Sequence, residues 1–295
     1  MWCCPNCGGA LSCSSTNKRT AGDTCRACGF NAAQRYGITC FAPALANSGE
    51  CFDPRLFELL ARVEETNFWF VNRAKLIVHL LKTYFPFAEN MLEVGCGTGS
   101  VLLALHHAMP KLQLVGSELH PSGLEIARRR VHDSLFVQMD ARRIPAQNEF
   151  DVIGAFDVLE HIPEDESVLG NIHRALKPGG GVLISVPQHA WLWSTSDEIA
   201  HHVRRYGRGE MEAKLTSSGF RILRSTSFTA LLLPAMMASR LFRRSGSEHK
   251  LLPELEISGW LNSALSSILR FEVELTRRGV DWPFGGSRVV VAQRL

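Results

Sequence analysis

Four cysteines open the chain as two C-x-x-C pairs, Cys4-Pro-Asn-Cys7 and Cys25-Arg-Ala-Cys28, with seventeen residues between the pairs. Each pair sets two thiols on one tight turn. Gly8 and Gly29 directly follow, and a small residue there lets backbone amides point back at sulfur. Two such turns complete a tetrahedral S4 set, which suits a structural zinc ion. A dithiol redox pair is the other reading of C-x-x-C, but it has no need of a second pair at this spacing. Cys3 and Cys13 are possible substitute ligands. A closed site would stabilise a segment of about 40 residues that is too short to fold alone. It would do no chemistry itself.

A second pattern lies at residues 92–100, LEVGCGTGS, an apolar run entering a turn with glycine at 95, 97 and 99. Such a turn brings backbone close to a ligand. A dinucleotide fingerprint wants G-x-G-x-x-G, and here position 100 is Ser. Glu118 closes the following strand, where a carboxylate accepts the ribose hydroxyls of any adenosine ligand. Glu93, two residues before the turn, would repel a pyrophosphate but favour an ammonium or sulfonium group. Asp140, ending the next strand in VQMDA, can accept from an adenine amino group. FDVIGAFDVLEHI (150–162) and LKPGGGVLISVP (176–187) place a polar, aromatic loop where the far end of such a ligand would lie. The pattern favours a positively charged adenosine compound over a nicotinamide dinucleotide.

The elements that must hold these residues are legible from apolar spacing. Candidate strands fall at 91–95, 112–118, 135–140, 150–156 and 181–187, with helical stretches at Val101–Ala108, Ser122–Val131 and Asp165–Leu176 between them. This alternation predicts a parallel sheet covered on both faces. Two later strands, 220–228 and 287–295, flank a helical insert at 229–286. Residues 54–85 have helical spacing, interrupted by NFWFVNR (67–73), whose three adjacent aromatics cannot share one helix face. The expected organisation is a zinc ribbon over 1–40, a linker and helix over 41–66, and a catalytic domain over 67–295.

LEVGCGTG, GSE, MDA, FDVLEHI and LKPGGG occur in the order and spacing of the class I S-adenosylmethionine-dependent methyltransferases, which the chain resembles from about residue 67 onward. The resemblance is to the type 11/12 group and implies a Rossmann-like α/β fold. Its seven-stranded sheet would be parallel with an antiparallel last strand. It implies that Gly95, Cys96, Gly97 and Gly99 cradle the methionine part of the cofactor, with Glu93 beside them. Glu118 and Leu119 would hold the ribose, Asp140 and Ala141 the adenine, and Phe156 and Asp157 would border the site. A bacterial subgroup carries FWF-x-x-R before the first strand, matched here by Phe68, Trp69, Phe70 and Arg73. That match implies that Trp69 closes over the cofactor and Arg73 contacts its carboxylate, or that the aromatics pack on the sheet edge. The N-terminal ribbon is similar to those fused to small-molecule and ribosomal-RNA methyltransferases.

Methyl transfer from a sulfonium needs alignment and exclusion of water, and a base only if the acceptor must lose a proton. The loop after the fifth strand, 186–206, holds His189, Trp191, Trp193, Asp197, His201, His202, Arg205 and Tyr206. In related sequences a histidine precedes an Arg-Tyr pair, which matches His202 before Arg205-Tyr206. His202 and Tyr206 are therefore the catalytic candidates, with ordering of the loop as the alternative for His202. His161 is expected to pack by the cofactor loop. The insert's ALLLPAMMASRLF stretch could line an apolar pocket, touch a membrane surface, form a dimer face or cap the sheet.

A net charge of +3 neither demands nor excludes nucleic acid, and the arginine pairs are scattered along the chain. The ribbon's only basic doublet is Lys18-Arg19, which weakens an RNA-methyltransferase reading. A non-catalytic scaffold is the further alternative, opposed by the intact cofactor set. The start lacks a secretory pattern, and the longest apolar run, 229–238, is shorter than the roughly 20 residues a spanning helix needs. The expectation is a cytoplasmic enzyme acting on a small-molecule or lipid-like acceptor.

Overall fold

Strands whose residues are apolar toward both faces are buried only when helices cover the sheet on both sides. The computed structural model describes residues 1–12, 21–46, 56–242 and 257–295. It forms these strands as β3 (Asn90–Val94), β4 (Gln113–Glu118), β5 (Leu135–Gln138), β6 (Phe150–Phe156) and β7 (Leu176–Pro187). They are joined by α3 (Ser100–Ala108), α4 (Pro121–Arg130) and α5 (Asp165–Ala175). β8 (Phe220–Phe228) and β9 (Ser287–Arg294) complete the far edge, with β9 antiparallel to both β7 and β8. β3 pairs in parallel with β4 on one side and β6 on the other, so the chain's winding reverses there. The crevice at such a reversal, beyond the strands' carboxyl ends, is where ligands bind in open α/β sheets.

The sheet has nine strands rather than the expected seven, in the order β1-β2-β5-β4-β3-β6-β7-β9-β8. The additions are β1 (Ala33–Arg35) and β2 (Ile38–Cys40), a hairpin from the segment read as the ribbon. β2 runs parallel to β5 through Thr39 opposite Val137 and Cys40 opposite Gln138. The reason is satisfaction of a sheet edge that would otherwise leave buried polar groups without partners. Fully buried Gln138 accepts from the Ala42 amide at 3.0 Å and donates to the Ala42 and Leu119 carbonyls at 2.8 and 3.1 Å. The chain start is fastened to the same side. Cys3 donates its amide to the Pro145 carbonyl at 2.9 Å, and Trp2 stacks on Phe41 at 5.7 Å and meets Phe150 edge-on at 6.0 Å.

Ahead of β3 lie α1 (Leu56–Val63) and α2 (Phe68–Tyr84). Asn67 caps α2 by accepting from the Trp69 amide at 2.9 Å. The insert supplies α8 (Leu233–Phe242) and α9 (Gly259–Arg277). α9 is tied to the start of α2: Asn262 accepts from the Phe68 amide and donates to the Thr66 carbonyl, both at 2.8 Å. Asn72 donates to Ser266 at 3.1 Å. No helix among the described residues is long and apolar enough to cross a membrane.

Candidate active site

A cavity of about 940 Å³ opens beyond the carboxyl ends of β3 to β6. Its floor is the glycine turn. Gly95, Gly97 and Gly99 have φ of 66, 52 and 79°, values that L side chains rarely adopt. A Cβ on Gly95 would also lie 2.5 Å from Val158 Cγ2. Gly95, Cys96 and Gly97 face the cavity, whereas Gly99 does not: a Cβ there would meet Ala127 of α4 at 2.9 Å, so its role is packing.

The carboxylate at the end of β4 is held by three backbone amides. Glu118 Oε1 accepts from Leu119 and His120 at 2.7 and 3.2 Å, and Oε2 accepts from Gly97 at 3.2 Å. Burial pushes its pKa up, and these amides oppose that shift. Glu93 is buried beside the turn with Oε2 lacking a hydrogen bond, and burial pushes its pKa up to about 8 although Arg73 opposes the shift. Asp140 lines the cavity next to Ala141, accepting from the Arg142 amide at 2.9 Å and pairing with its guanidinium.

The aromatic triplet occupies the first turn of α2, and all three rings reach the cavity from there. Trp69 meets Phe70 edge-on at 4.9 Å, and the Arg73 guanidinium lies 4.3 Å above the Trp69 ring. Arg73 is buried and ion-paired with Asp157, leaving Nε without a hydrogen bond; burial lowers its pKa to about 10. Asp157 itself has φ of 57°, strained for a non-glycine residue, and accepts from Ser185 at 3.2 Å. Phe156 completes this wall.

On the opposite wall stand Glu160, His161 and His202. His202 Nδ1 donates to Asp197 Oδ1 at 2.8 Å, and its Nε2 lies 3.9 Å from Glu160 Oε1. Burial opposes ionisation of Asp197, but hydrogen bonds from His202 and Arg205 outweigh it and hold the carboxyl well below its usual range. Glu160 is wholly buried with neither oxygen hydrogen-bonded, and burial pushes its pKa up to about 8. Burial and the neighbouring His202 push His161 down to about 3, so its imidazole is neutral.

Tyr206 is the correction among the catalytic candidates. It is fully buried, does not line the cavity, and donates its hydroxyl to Asp165 at 2.8 Å. Burial and that carboxylate push its pKa far up, so it anchors the loop and is no proton carrier. His189 is likewise outside the cavity, stacked on Trp191 at 5.1 Å. Two contributors were not read from the sequence, and a third, Asp197, was read only as a polar residue of its loop. Phe57 and Glu64 bring α1 and the segment after it over the glycine turn, where Glu64 pairs with Arg130 at 2.7 Å and accepts from Thr98. Buried Asp197 orients His202. The amphipathic spacing of α1 was visible, but not its target.

Apart from this cavity, the sulfurs of Cys4, Cys7, Cys25 and Cys28 all lie within 4.8 Å of one another, with Cys4–Cys28 and Cys7–Cys25 at 3.5 Å. Bonds of about 2.3 Å to one zinc ion put tetrahedral sulfurs about 3.8 Å apart, so the set fits that metal. Gly8 and Gly29 donate their amides to the Cys4 and Cys25 carbonyls at 2.9 and 3.0 Å, closing the two turns. Cys3 Sγ instead faces the Met1 carbonyl at 3.4 Å, and Cys13 lies outside the described residues.

Residues 91–180 match the family model described as a methyltransferase domain. Trans-aconitate 2-methyltransferase of Escherichia coli is 30% identical over 107 residues, which are 36% of this chain and 42% of that protein. Ubiquinone biosynthesis O-methyltransferase of Pseudomonas paraeruginosa is 34% identical over 104 residues, 33% of this chain and 44% of that protein. The chain thus spans less than half the length of these curated relatives. Among solved structures, Haemonchus contortus phosphoethanolamine N-methyltransferase 2 with bound S-adenosyl-L-methionine superposes with a TM-score of 0.55 at 22% identity, covering 88% of this chain and 60% of that one. The 4+2 cyclase SpnF superposes with a TM-score of 0.53 at 19% identity, covering 82% of this chain and 93% of that one. The centre of the chain is thus similar to methyltransferase domains, and the solved structures show its fold. The cyclase is a reminder that the fold hosts more than one reaction.

Proposed function

We propose that the chain transfers a methyl group from S-adenosylmethionine to a small, partly apolar acceptor. The observation that carries this reading is the pair of carboxyl groups at the glycine turn, buried Glu93 and half-buried Glu118. Two carboxylates there oppose a pyrophosphate and suit a nucleoside bearing a positive charge. The group fits the residues present: Glu118 would take the ribose hydroxyls, Asp140 and Ala141 the adenine edge, and Glu93 with the glycine-turn backbone the methionine end. Trp69 would cover it, with Arg73 toward its carboxylate. When bound, it supplies an electrophilic methyl on a sulfonium. The protein's own part is to align the acceptor, exclude water and manage its proton.

The acceptor end of the cavity is framed by Leu232, Ala235, Met236, Leu261 and Leu265 of the insert and by Glu160, His161 and His202. An apolar wall opposite a polar cluster suits a small molecule that is greasy on one side and presents a hydroxyl or amine on the other. The names of the relatives, which refer to trans-aconitate and to ubiquinone biosynthesis, agree with a small-molecule acceptor. His202, fixed by Asp197, is the residue through which the acceptor's proton is handled. His202→Ala is expected to slow methyl transfer to a panel of hydroxylated acids and phenols while S-adenosylhomocysteine affinity is retained. Undiminished turnover would remove this role.

Binding a cation beside Glu93 has a proton signature. Its folded pKa of about 8 stands above the ordinary 4.5. The stability contributed by the neutral form is therefore complete below pH 4.5 and is lost as pH rises through 8. A positively charged ligand favours the ionised form, so calorimetry at neutral pH in buffers of different ionisation enthalpy is expected to register about one proton released. Glu93→Gln is expected to abolish most of that release. Equal release from both proteins would show that Glu93 does not face the charge.

We also propose that Cys4, Cys7, Cys25 and Cys28 hold a structural zinc ion. A chelator is expected to raise hydrogen exchange across residues 1–40 while amides of β3, β6 and β7 stay protected. Loss of protection across the whole sheet would make the metal turns inseparable from the catalytic core.

A further inference from the structure

Glu160 is the anomaly of the cavity wall. A carboxylate that is wholly buried with neither oxygen hydrogen-bonded is costly unless a cation reaches it. The nearby arginines are already engaged, Arg73 with Asp157 and Arg205 with Asp197 at 2.7 Å. What does face Glu160 is a pair of imidazoles. One ligand atom from each of Glu160, His161 and His202 lies within 4.8 Å of the others, and the two rings meet nearly at right angles, 4.7 Å between centroids.

We propose that Glu160, His161 and His202 form a divalent-cation site at the acceptor end of the cavity, with the acceptor's oxygen as a further ligand. Two imidazoles and one carboxylate are a donor set for first-row divalent ions, and three protein ligands leave positions open for water or substrate. Asp197 supplies the outer support such sites use: it holds His202 Nδ1–H at 2.8 Å and turns Nε2 toward Glu160. The Val203 amide donates to the Glu160 carbonyl at 2.8 Å, fixing the loop that carries His202 against the segment that carries the other two ligands. Ligand atoms within 4.8 Å need to close by up to about 1.4 Å to share a tetrahedral ion with bonds near 2.1 Å. An ion held there would favour loss of the acceptor's O–H proton to solvent. The oxygen's electron pair would form the bond to the methyl carbon as the methyl–sulfur bond breaks and its pair stays on sulfur. His202 then serves the acceptor's proton by holding the ion rather than by taking the proton.

The purpose of the ion rests on the methyl-transfer reading, whereas its binding does not. The test is a titration of the full-length chain with Mn2+ followed by electron paramagnetic resonance, alongside calorimetry with S-adenosylhomocysteine on the same samples. Mn2+ is a hard ion and leaves the cysteine set to zinc. The wild type is expected to bind one Mn2+, and Glu160→Gln and His202→Ala are each expected to weaken it at least tenfold, with S-adenosylhomocysteine affinity unchanged. Free Mn2+ signal undiminished at millimolar concentration, or variants that bind as the wild type does, would overturn the site. Mn2+ bound as expected without nucleoside binding would uphold the ion and refute the methyl-transfer reading. Nucleoside binding without Mn2+ would refute the ion alone.

Discussion

Glu118→Ala is expected to weaken S-adenosylhomocysteine binding at least tenfold, and by about 100-fold where both ribose hydroxyls lose a charged acceptor. The size follows from two losses at once. The carboxylate is the proposed ribose partner, and it is also the shared acceptor for the Gly97, Leu119 and His120 amides. Without it those amides are left unpaired and the glycine turn loses the tie between β4 and its own backbone. Calorimetry measures the affinity, and near-ultraviolet circular dichroism checks that the fold persists. Glu118→Gln separates the two losses, since it keeps an acceptor oxygen and the side-chain volume while removing the charge. Unchanged affinity in the alanine variant would make the ribose assignment wrong.

Arg73→Ala is expected to be the most destabilising of the cavity-wall substitutions. Arg73 is paired directly with Asp157, and its charge favours ionisation of Glu93 and Glu160 without bonding either. Removing one partner of a buried pair leaves an uncompensated charge, at a cost of about 3 kcal/mol. For a chain of this size that is a fall in Tm of about 5 °C. Arg73→Lys is expected to recover only part of it, because an ammonium cannot lie flat over the Trp69 ring as the guanidinium does at 4.3 Å. The deficit should widen as pH rises through about 8, where Glu93 and Glu160 ionise and need the cation. Thermal melts of the wild type and both variants across pH check this, and a Tm for Arg73→Ala equal to that of the wild type would contradict it.

The strands from β3 to β9 were legible because runs such as Met91–Val94 and Val182–Val186 are apolar toward both faces, a pattern local to each strand. The glycine turn was legible for the same reason: backbone with positive φ leaves its mark in residue type. β1 and β2 were not. Each has three residues, too few for a period, and their burial depends on Val137 and Gln138 almost 100 positions away. Tyr206 misled because a phenol near a histidine reads as chemistry, while Asp165, which captures its hydroxyl, sits 41 positions earlier. Asp197 was noticed only as one polar residue in a loop; its grip on both His202 and Arg205 exists only once that loop is folded. His161 read as packing beside the cofactor loop, and Glu160 carried no reading of its own. They lie in a short 3-10 turn, Leu159–His161, which brings both to one wall.

The most direct measurement is a pair of titrations of the wild-type protein, one with S-adenosylhomocysteine and one with a nicotinamide dinucleotide, each followed by crystallography of the complex. One nucleoside thioether per chain is expected, its ribose on Glu118 and its amino acid end beside Gly95 and Glu93, with no heat from the dinucleotide. A dinucleotide seated on the glycine turn, with the thioether left in solution, would contradict the assignment of this cavity.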